Sequence, residues 1–258
     1  MSWLVVVLSL IVLWIASLCK IIHTLRLPSR TFLLSNGGAF CKKNVLLVVA
    51  HPDDESMFFS PTISYLISRG HNLHILCLSI GNADGMGNAR KHELYKACAV
   101  LKVPVQQVNV LDHPELQDGF GQIWDHNLLA KIIKDEVSSH EIDVIITFDK
   151  YGVSGHCNHC DVHYGVHKLL HENPRSIEAW ELVSTNIFRK YSGPVDIWLS
   201  MLLATKDTKT VMHCLLNEHP QKSFHAMSEH SSQWVWFRKL FVSFSSYTYV
   251  NTLRKISM

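Results

Sequence analysis

The sequence predicts an α/β fold, a doubly wound, mostly parallel sheet of Rossmann-like plan, carried behind an N-terminal transmembrane helix. Three observations lead there. Short apolar, β-branched runs alternate with segments of helical period along residues 44–171, and strands joined by such crossovers run parallel. The polar residues gather just after those runs, at the sheet edge where such folds bind ligands. Ahead of all this stands an apolar stretch free of charge from Trp3 to Cys19.

That stretch, WLVVVLSLIVLWIASLC, is followed by Lys20, Ile21 and Ile22. At about 1.5 Å per residue, ~20 residues just span the roughly 27 Å core of a thin bilayer. A cleaved signal peptide is the competing reading, but it calls for a positive start and a small-x-small cleavage site. Neither is clear here. Lys20, Arg26 and Arg30 follow the apolar stretch and no charged side chain precedes it, so the positive-inside rule places the remainder in the cytosol. Residues 23–43 contain Pro28 and Gly37-Gly38 between basic ends and read as a tether. The chain thus divides into an anchor over 1–22, a basic tether over 23–43 and a folded domain over 44–258.

Within the domain, residues 44–50 (NVLLVVA) form the first strand, buried on both faces. A helix is expected over 55–69, ending at Gly70, then a strand over 73–79 and a helix over 88–101. A third strand over 106–111, a helix over 122–139, a fourth strand over 142–148 and a helix over 159–171 complete the alternation. Beyond it the pattern weakens to a strand over 180–188 and a helix over 217–230. The aromatic tail 234–249, with Arg238 and Lys239 in its middle, suits either an interfacial segment or a last core element.

Composition narrows the function. Hydrophobic residues make up 47% and charged residues 18%, which excludes a disordered chain. A net charge of +2 without a long Lys/Arg run gives no basis for binding nucleic acid. Seven cysteines, an odd number without regular spacing, read as reduced thiols facing the cytosol. The 17 histidines direct attention to a metal or acid/base site.

Two clusters carry chemistry. Directly after the first strand comes Ala50-His51-Pro52-Asp53-Asp54-Glu55. His and Asp are ordinary zinc ligands, and of two adjacent carboxylates one can bind metal while the other takes a proton. Helix capping by Asp53 or Asp54 would explain one acid, though not the imidazole and the second acid. On spacing alone both readings stand. After the fourth strand comes Gly152-Val153-Ser154-Gly155-His156-Cys157-Asn158-His159-Cys160. One of its histidines can supply a further ligand while the other donates to an oxyanion. A structural zinc on Cys157, His159 and Cys160 is the rival, and it lacks a fourth partner at the usual spacing. His163, His167 and His171 recur on one helix face and receive no role.

AHPDDE after a first strand, with GHxNH about a hundred residues on, resembles the phosphatidylinositol-glycan class L family of deacetylases. The likeness spans roughly residues 44–235. It takes in Gly81-Asn82-Ala83, Arg90, Glu93, the segment His113-Pro114-Glu115-Leu116-Gln117-Asp118-Gly119 and His230-Ser231-Ser232-Gln233. Together with the anchor, HPELQDG points to the eukaryotic branch that acts on N-acetylglucosaminyl-phosphatidylinositol, at the second step of glycosylphosphatidylinositol-anchor synthesis. The resemblance implies that His51, Asp54 and His159 bind a divalent metal, usually zinc. It implies Asp53 as general base, His156 as oxyanion stabiliser or acid, and Arg90 and Asp118 as sugar contacts. It also implies a single-pass protein of the endoplasmic reticulum membrane whose partners are its lipid substrate and the bilayer. A zinc deacetylase of a soluble acetylated amino sugar, and a non-catalytic membrane scaffold of the same fold, are the alternatives.

Overall fold

Five consecutive β-branched or leucine positions, Val45 to Val49, lie fully buried in strand β1 (Asn44–Val49), and the rest of the domain is arranged around this strand. The computed structural model describes residues 2–24, 41–172, 177–206 and 210–257. Most of the expected tether, with Arg26, Pro28, Arg30 and Gly37-Gly38, lies outside the described residues.

β1 pairs in parallel with β2 (Asn72–Cys77) on one side and β4 (Val144–Phe148) on the other. β3 (Val108–Val110) extends the sheet beyond β2, and β5 (Glu178–Leu182) extends it beyond β4, both in parallel. Two further strands, β6 (Met212–Leu216) and β7 (Val250–Lys255), give the order β3-β2-β1-β4-β5-β7-β6. β7 is antiparallel to both of its neighbours. The chain moves outward one way from β1 through β2 and β3, then crosses back to β4. The reversal opens a crevice at the carboxyl ends of β1 and β4, where doubly wound sheets bind ligands.

Alternate strand residues feed two apolar layers, as a period of two requires. Val45, Leu47 and Val49 face one layer, built on α2 (Asp54–Met57), α3 (Ser60–Ser68), α4 (Gly87–Val100), α10 (Pro220–Glu229) and α11 (Trp236–Phe244). Leu46 and Val48 face the other, built on α5 (His126–Ser139) and α7 (Cys157–Glu172). The remaining helices are α1 (Ser2–Thr24), α6 (Gly152–Gly155), α8 (Ile187–Lys190) and α9 (Asp196–Lys206).

Several boundaries differ from expectation for local reasons. The helix foreseen over 55–69 is broken into α2 and α3 because Pro61 has no N–H to continue a ladder and opens α3 instead. The helix foreseen from residue 122 starts at His126, where Asp125 accepts a hydrogen bond from Asn127 N at 3.0 Å. The run 180–188 splits into β5 and α8, the latter capped by Asn186. The aromatic tail forms α11 and then leads into β7. α9, β6 and β7 have no counterpart in the sequence reading. Residues 3–20 of α1 are long and apolar enough to cross a membrane, and most of its side chains are exposed.

Candidate functional site

Both sequence clusters leave the sheet at the crevice. His51 follows β1 at once, and the turn after β4 runs through α6 into α7, bringing His156 and His159 opposite it. The second turn depends on Gly152. At φ +54° it adopts a conformation open to glycine, and a Cβ there would lie 2.6 Å from the His159 Cβ. Two non-glycine residues flanking the site also hold positive φ, Asp53 at 119° and Val153 at 62°. Such conformations persist only where surrounding contacts impose them. For Asp53 they include a hydrogen bond from its own N–H to Glu55 Oε2 at 3.0 Å. For Val153, Ser184 Oγ accepts its N–H at 2.8 Å and Lys190 Nζ donates to its carbonyl at 2.6 Å. Asp53 occupies the cap position of α2, but its side chain makes no capping bond, so capping does not account for it.

Asp54 is the centre of the arrangement. Its Oδ2 accepts from the backbone N–H groups of Ala50 and His51 at 3.0 and 2.9 Å. Its Oδ1 lies 3.1 Å from His159 Nε2, and Oδ2 lies 3.9 Å from His51 Nδ1. The outer nitrogens of both imidazoles are committed elsewhere. His159 Nδ1 donates to the Gly152 carbonyl at 3.0 Å. His51 Nε2 faces Asn158 Oδ1 and Asp118 Oδ1, each at 3.1 Å. The Asn158 amide is oriented by its donation to the Gln122 carbonyl at 2.9 Å, so its oxygen is the atom that accepts from His51. His51 Nδ1 and His159 Nε2 are therefore the nitrogens turned to the Asp54 carboxylate. Outward N–H groups held by oxygen acceptors are the usual support of metal-binding histidines.

These donors fit a divalent cation. In a tetrahedral zinc site with bonds near 2.0 Å, neighbouring ligand atoms stand about 3.3 Å apart, close to the Asp54–His159 separation. The His156 ring lies 4.8 Å from His51 and 5.0 Å from His159, and one nitrogen of each of the three lies within 4.8 Å of the others. The rival set of Cys157, His159 and Cys160 does not assemble. His159 turns to Asp54, Cys157 Sγ donates to the Gly119 carbonyl at 3.5 Å, and among the described residues neither cysteine belongs to a metal-capable group.

Burial and charge set the protonation states. Burial pushes the Asp54 carboxyl up, but the adjacent His159 and His51 outweigh it and hold it well below the usual carboxylate range. Asp53 is raised, chiefly by burial, with the Arg238 and Arg90 guanidinium groups pulling the other way. Its Oδ2 accepts no well-formed hydrogen bond although Arg238 Nη2 is 3.1 Å away. Burial, with His51 and His159 nearby, lowers the His156 imidazole to about 4, leaving it neutral at pH 7 with an unpartnered Nδ1.

Arg90 and Asp118 join the site, but Arg90 is spent largely on the protein. It donates to the carbonyls of Gly81 and Pro52 at 2.9 Å each and to Asp118 Oδ2 at 3.1 Å, with Asp53 Oδ1 at 3.7 Å. Gly81 permits that approach, since a Cβ there would lie 2.5 Å from the guanidinium carbon. Burial raises Asp118, but its bond to His51 and its contact with Arg90 bring it down to about 2.

Three contributors were not assigned from the sequence. Arg238 reaches Asp53 from α11. His230 Nε2 meets Glu55 Oε1 at 2.7 Å with both side chains fully buried, and Ser232 donates from N and Oγ to Glu93 at 2.8 and 2.6 Å. The only signal for the last two was the matching segment 230–233; Arg238 had none.

Comparison with known proteins identifies the family. The family description "PIG-L: GlcNAc-PI de-N-acetylase" matches residues 46–170. A Dictyostelium discoideum protein named as a probable N-acetylglucosaminyl-phosphatidylinositol de-N-acetylase is 36% identical over 248 residues, covering 86% of this chain and 96% of its own. The Bos taurus de-N-acetylase of the same name is 37% identical over 222 residues, covering 85% of each chain. Among solved structures, the N,N'-diacetylchitobiose deacetylase of Pyrococcus horikoshii superposes with a TM-score of 0.59 at 13% identity, over 83% of this chain and 84% of its own. That likeness concerns the fold. From the shared length and the identity to its relatives, the chain belongs to the PIG-L family of GlcNAc-PI de-N-acetylases.

Proposed function

We propose that the chain hydrolyses the N-acetyl group of N-acetylglucosaminyl-phosphatidylinositol to give glucosaminyl-phosphatidylinositol and acetate. The observation that carries the reading is the Asp54 carboxylate set between His51 and His159, its oxygens 3.9 and 3.1 Å from their facing nitrogens, with Asp53 next to it in the chain. In this reading those three residues hold a divalent cation, zinc, whose donor preferences they match. When bound, the cation polarises the acetamide carbonyl and acidifies water near neutral pH.

The protein's own groups perform the rest. Asp53 takes the proton of the attacking water; burial has raised its carboxyl toward the range of a working base, and its Oδ2 lacks a well-formed hydrogen bond. Neutral His156 turns an N–H toward the developing oxyanion, a contribution of about 3 kcal/mol for one well-placed donor. Asp118 binds sugar hydroxyls, and Arg90 positions Asp118 and Asp53 while lining the same wall. The proton taken up by Asp53 is then available to the departing nitrogen.

α1 is the anchor in this reading. It crosses the endoplasmic reticulum membrane once and leaves the domain on the cytosolic side, where tethering raises the enzyme's effective concentration near a lipid-borne substrate. The test is acetate release from N-acetylglucosaminyl-phosphatidylinositol by the purified full chain, before and after chelation and with zinc restored. Activity abolished by chelation and regained with zinc is the expected result. Hydrolysis confined to soluble acetamido sugars would overturn the lipid assignment.

A further inference from the structure

The exposed aromatic face of α11 adjoins the catalytic mouth on one side and the apolar helix α1 on the other. Phe241 and Val242 turn inward to the core, while Trp236, Phe237, Leu240 and Phe244 stand 72%, 54%, 49% and 50% exposed along one stripe. A stripe of this kind on a soluble surface marks a binding face. Arg238, within the same helix, is the residue that reaches Asp53. At the other end α1 packs against α9 and the segment leading into β7. Trp14 meets Tyr249 edge-on at 6.3 Å, Trp198 Nε1 donates to Ser17 Oγ at 2.9 Å, and Tyr249 Oη donates to the Ser243 carbonyl at 2.8 Å. Gly193 is the junction. A Cβ there would lie 3.1 Å from Trp14 Nε1 and 3.4 Å from the Phe244 carbonyl.

We infer that the exposed face of α11 lies in the headgroup layer of the bilayer and holds the catalytic mouth against the membrane surface. The inference rests on the proposed anchoring by α1 and on a lipid-borne substrate. Its physical basis is continuity. A helix that crosses the bilayer and packs on Gly193 and Tyr249, which themselves adjoin α11, leaves the stripe at the height where the polar surface begins. Trp and Phe favour that zone, and Lys239 beside them suits anionic headgroups. α8 lies next to α11, Tyr191 after it packing edge-on to Phe241 at 6.1 Å, and its Phe188 is 85% exposed. The bilayer thereby supplies a wall of the entry path, and substrate reaches Asp53 without leaving it.

The test uses the full chain in nanodiscs of phosphatidylcholine and phosphatidylinositol. The photo-crosslinker p-benzoylphenylalanine is placed at position 237 or, as a control, at position 105, an exposed site on the 3-10 turn before β3. Lipid adducts at 237 well above those at 105 are expected. Equal yields, or adducts at 237 only to a second protein chain, would overturn the inference. Alkaline carbonate extraction of the unaltered chain from vesicles reads the anchor separately. A chain that is released refutes the anchoring by α1 while adducts at 237 still decide the surface. In kinetics, the double variant Phe237→Glu/Leu240→Glu should lose tenfold or more in kcat/KM on bilayer-embedded N-acetylglucosaminyl-phosphatidylinositol. On the deacylated, water-soluble glycan it should change less than twofold. Equal losses on both substrates would count against a membrane role.

Discussion

Arg238 Nη2 lies 3.1 Å from Asp53 Oδ2, so a residue near the end of the chain sets the charge environment of the proposed base. An opposite charge this close favours the ionised carboxylate. Replacing Arg238 with Gln should lower kcat/KM and move its acidic limb upward by roughly one pH unit, since Asp53 must lose its proton to act. Lys at the same position should restore part of the limb. A fall in activity uniform across pH would show instead that Arg238 only holds α11 in place.

Asp53 and Asp54 are adjacent but have separate duties. Asp53→Asn should cost about 10²- to 10⁴-fold in kcat, the usual range for a general base, while metal content measured on the purified protein stays at the unaltered level. Asp54→Asn and His159→Ala should lose metal and activity together. Metal loss in Asp53→Asn would contradict the division.

Gly152 governs the approach of His159 to Asp54. In Gly152→Ala the new Cβ meets the His159 Cβ at 2.6 Å while the backbone remains at φ +54°. The variant should lose about 1–3 kcal/mol of stability and bind metal more weakly. Denaturant unfolding and metal titration on the same preparation would check both effects.

Away from the site, Glu181 pairs with His163 Nδ1 at 3.3 Å and with the Arg254 guanidinium. Burial raises its carboxyl, but the bonds from His163 and Arg254 outweigh that and leave it below the ordinary 4.5. A depressed folded-state value stabilises the protein above the unfolded-state value, and that contribution is lost as pH falls through the folded one. Glu181→Gln should therefore unfold at lower temperature than the unaltered chain at pH 7. The gap should close as pH drops below 4.5. A gap constant with pH would show that the carboxylate charge contributes nothing.

The sequence alone determined the central sheet and which residues gather at the candidate site, because both are written in local patterns. Unbroken apolar strands such as 45–49 are legible by composition, and the order of strand and helix forces parallel pairing. The two motifs directly follow β1 and β4, and the reversal between those strands brings them together. The family resemblance supplied the roles for these residues, and the geometry places His51, Asp53, Asp54, His156 and His159 together. Only the tertiary structure decided what depends on distant chain segments. Arg238 against Asp53, and His230 against Glu55, join residues whose separation carries no period. The burial of Arg90 among the Gly81 and Pro52 carbonyls was equally invisible, because a motif records which residue is present but not which atoms it touches. β6 and α9 escaped because half-exposed elements take their conformation from neighbours and their apolar period is weak, and β7 because its place between β5 and β6 is set by pairing with strands far off in the chain.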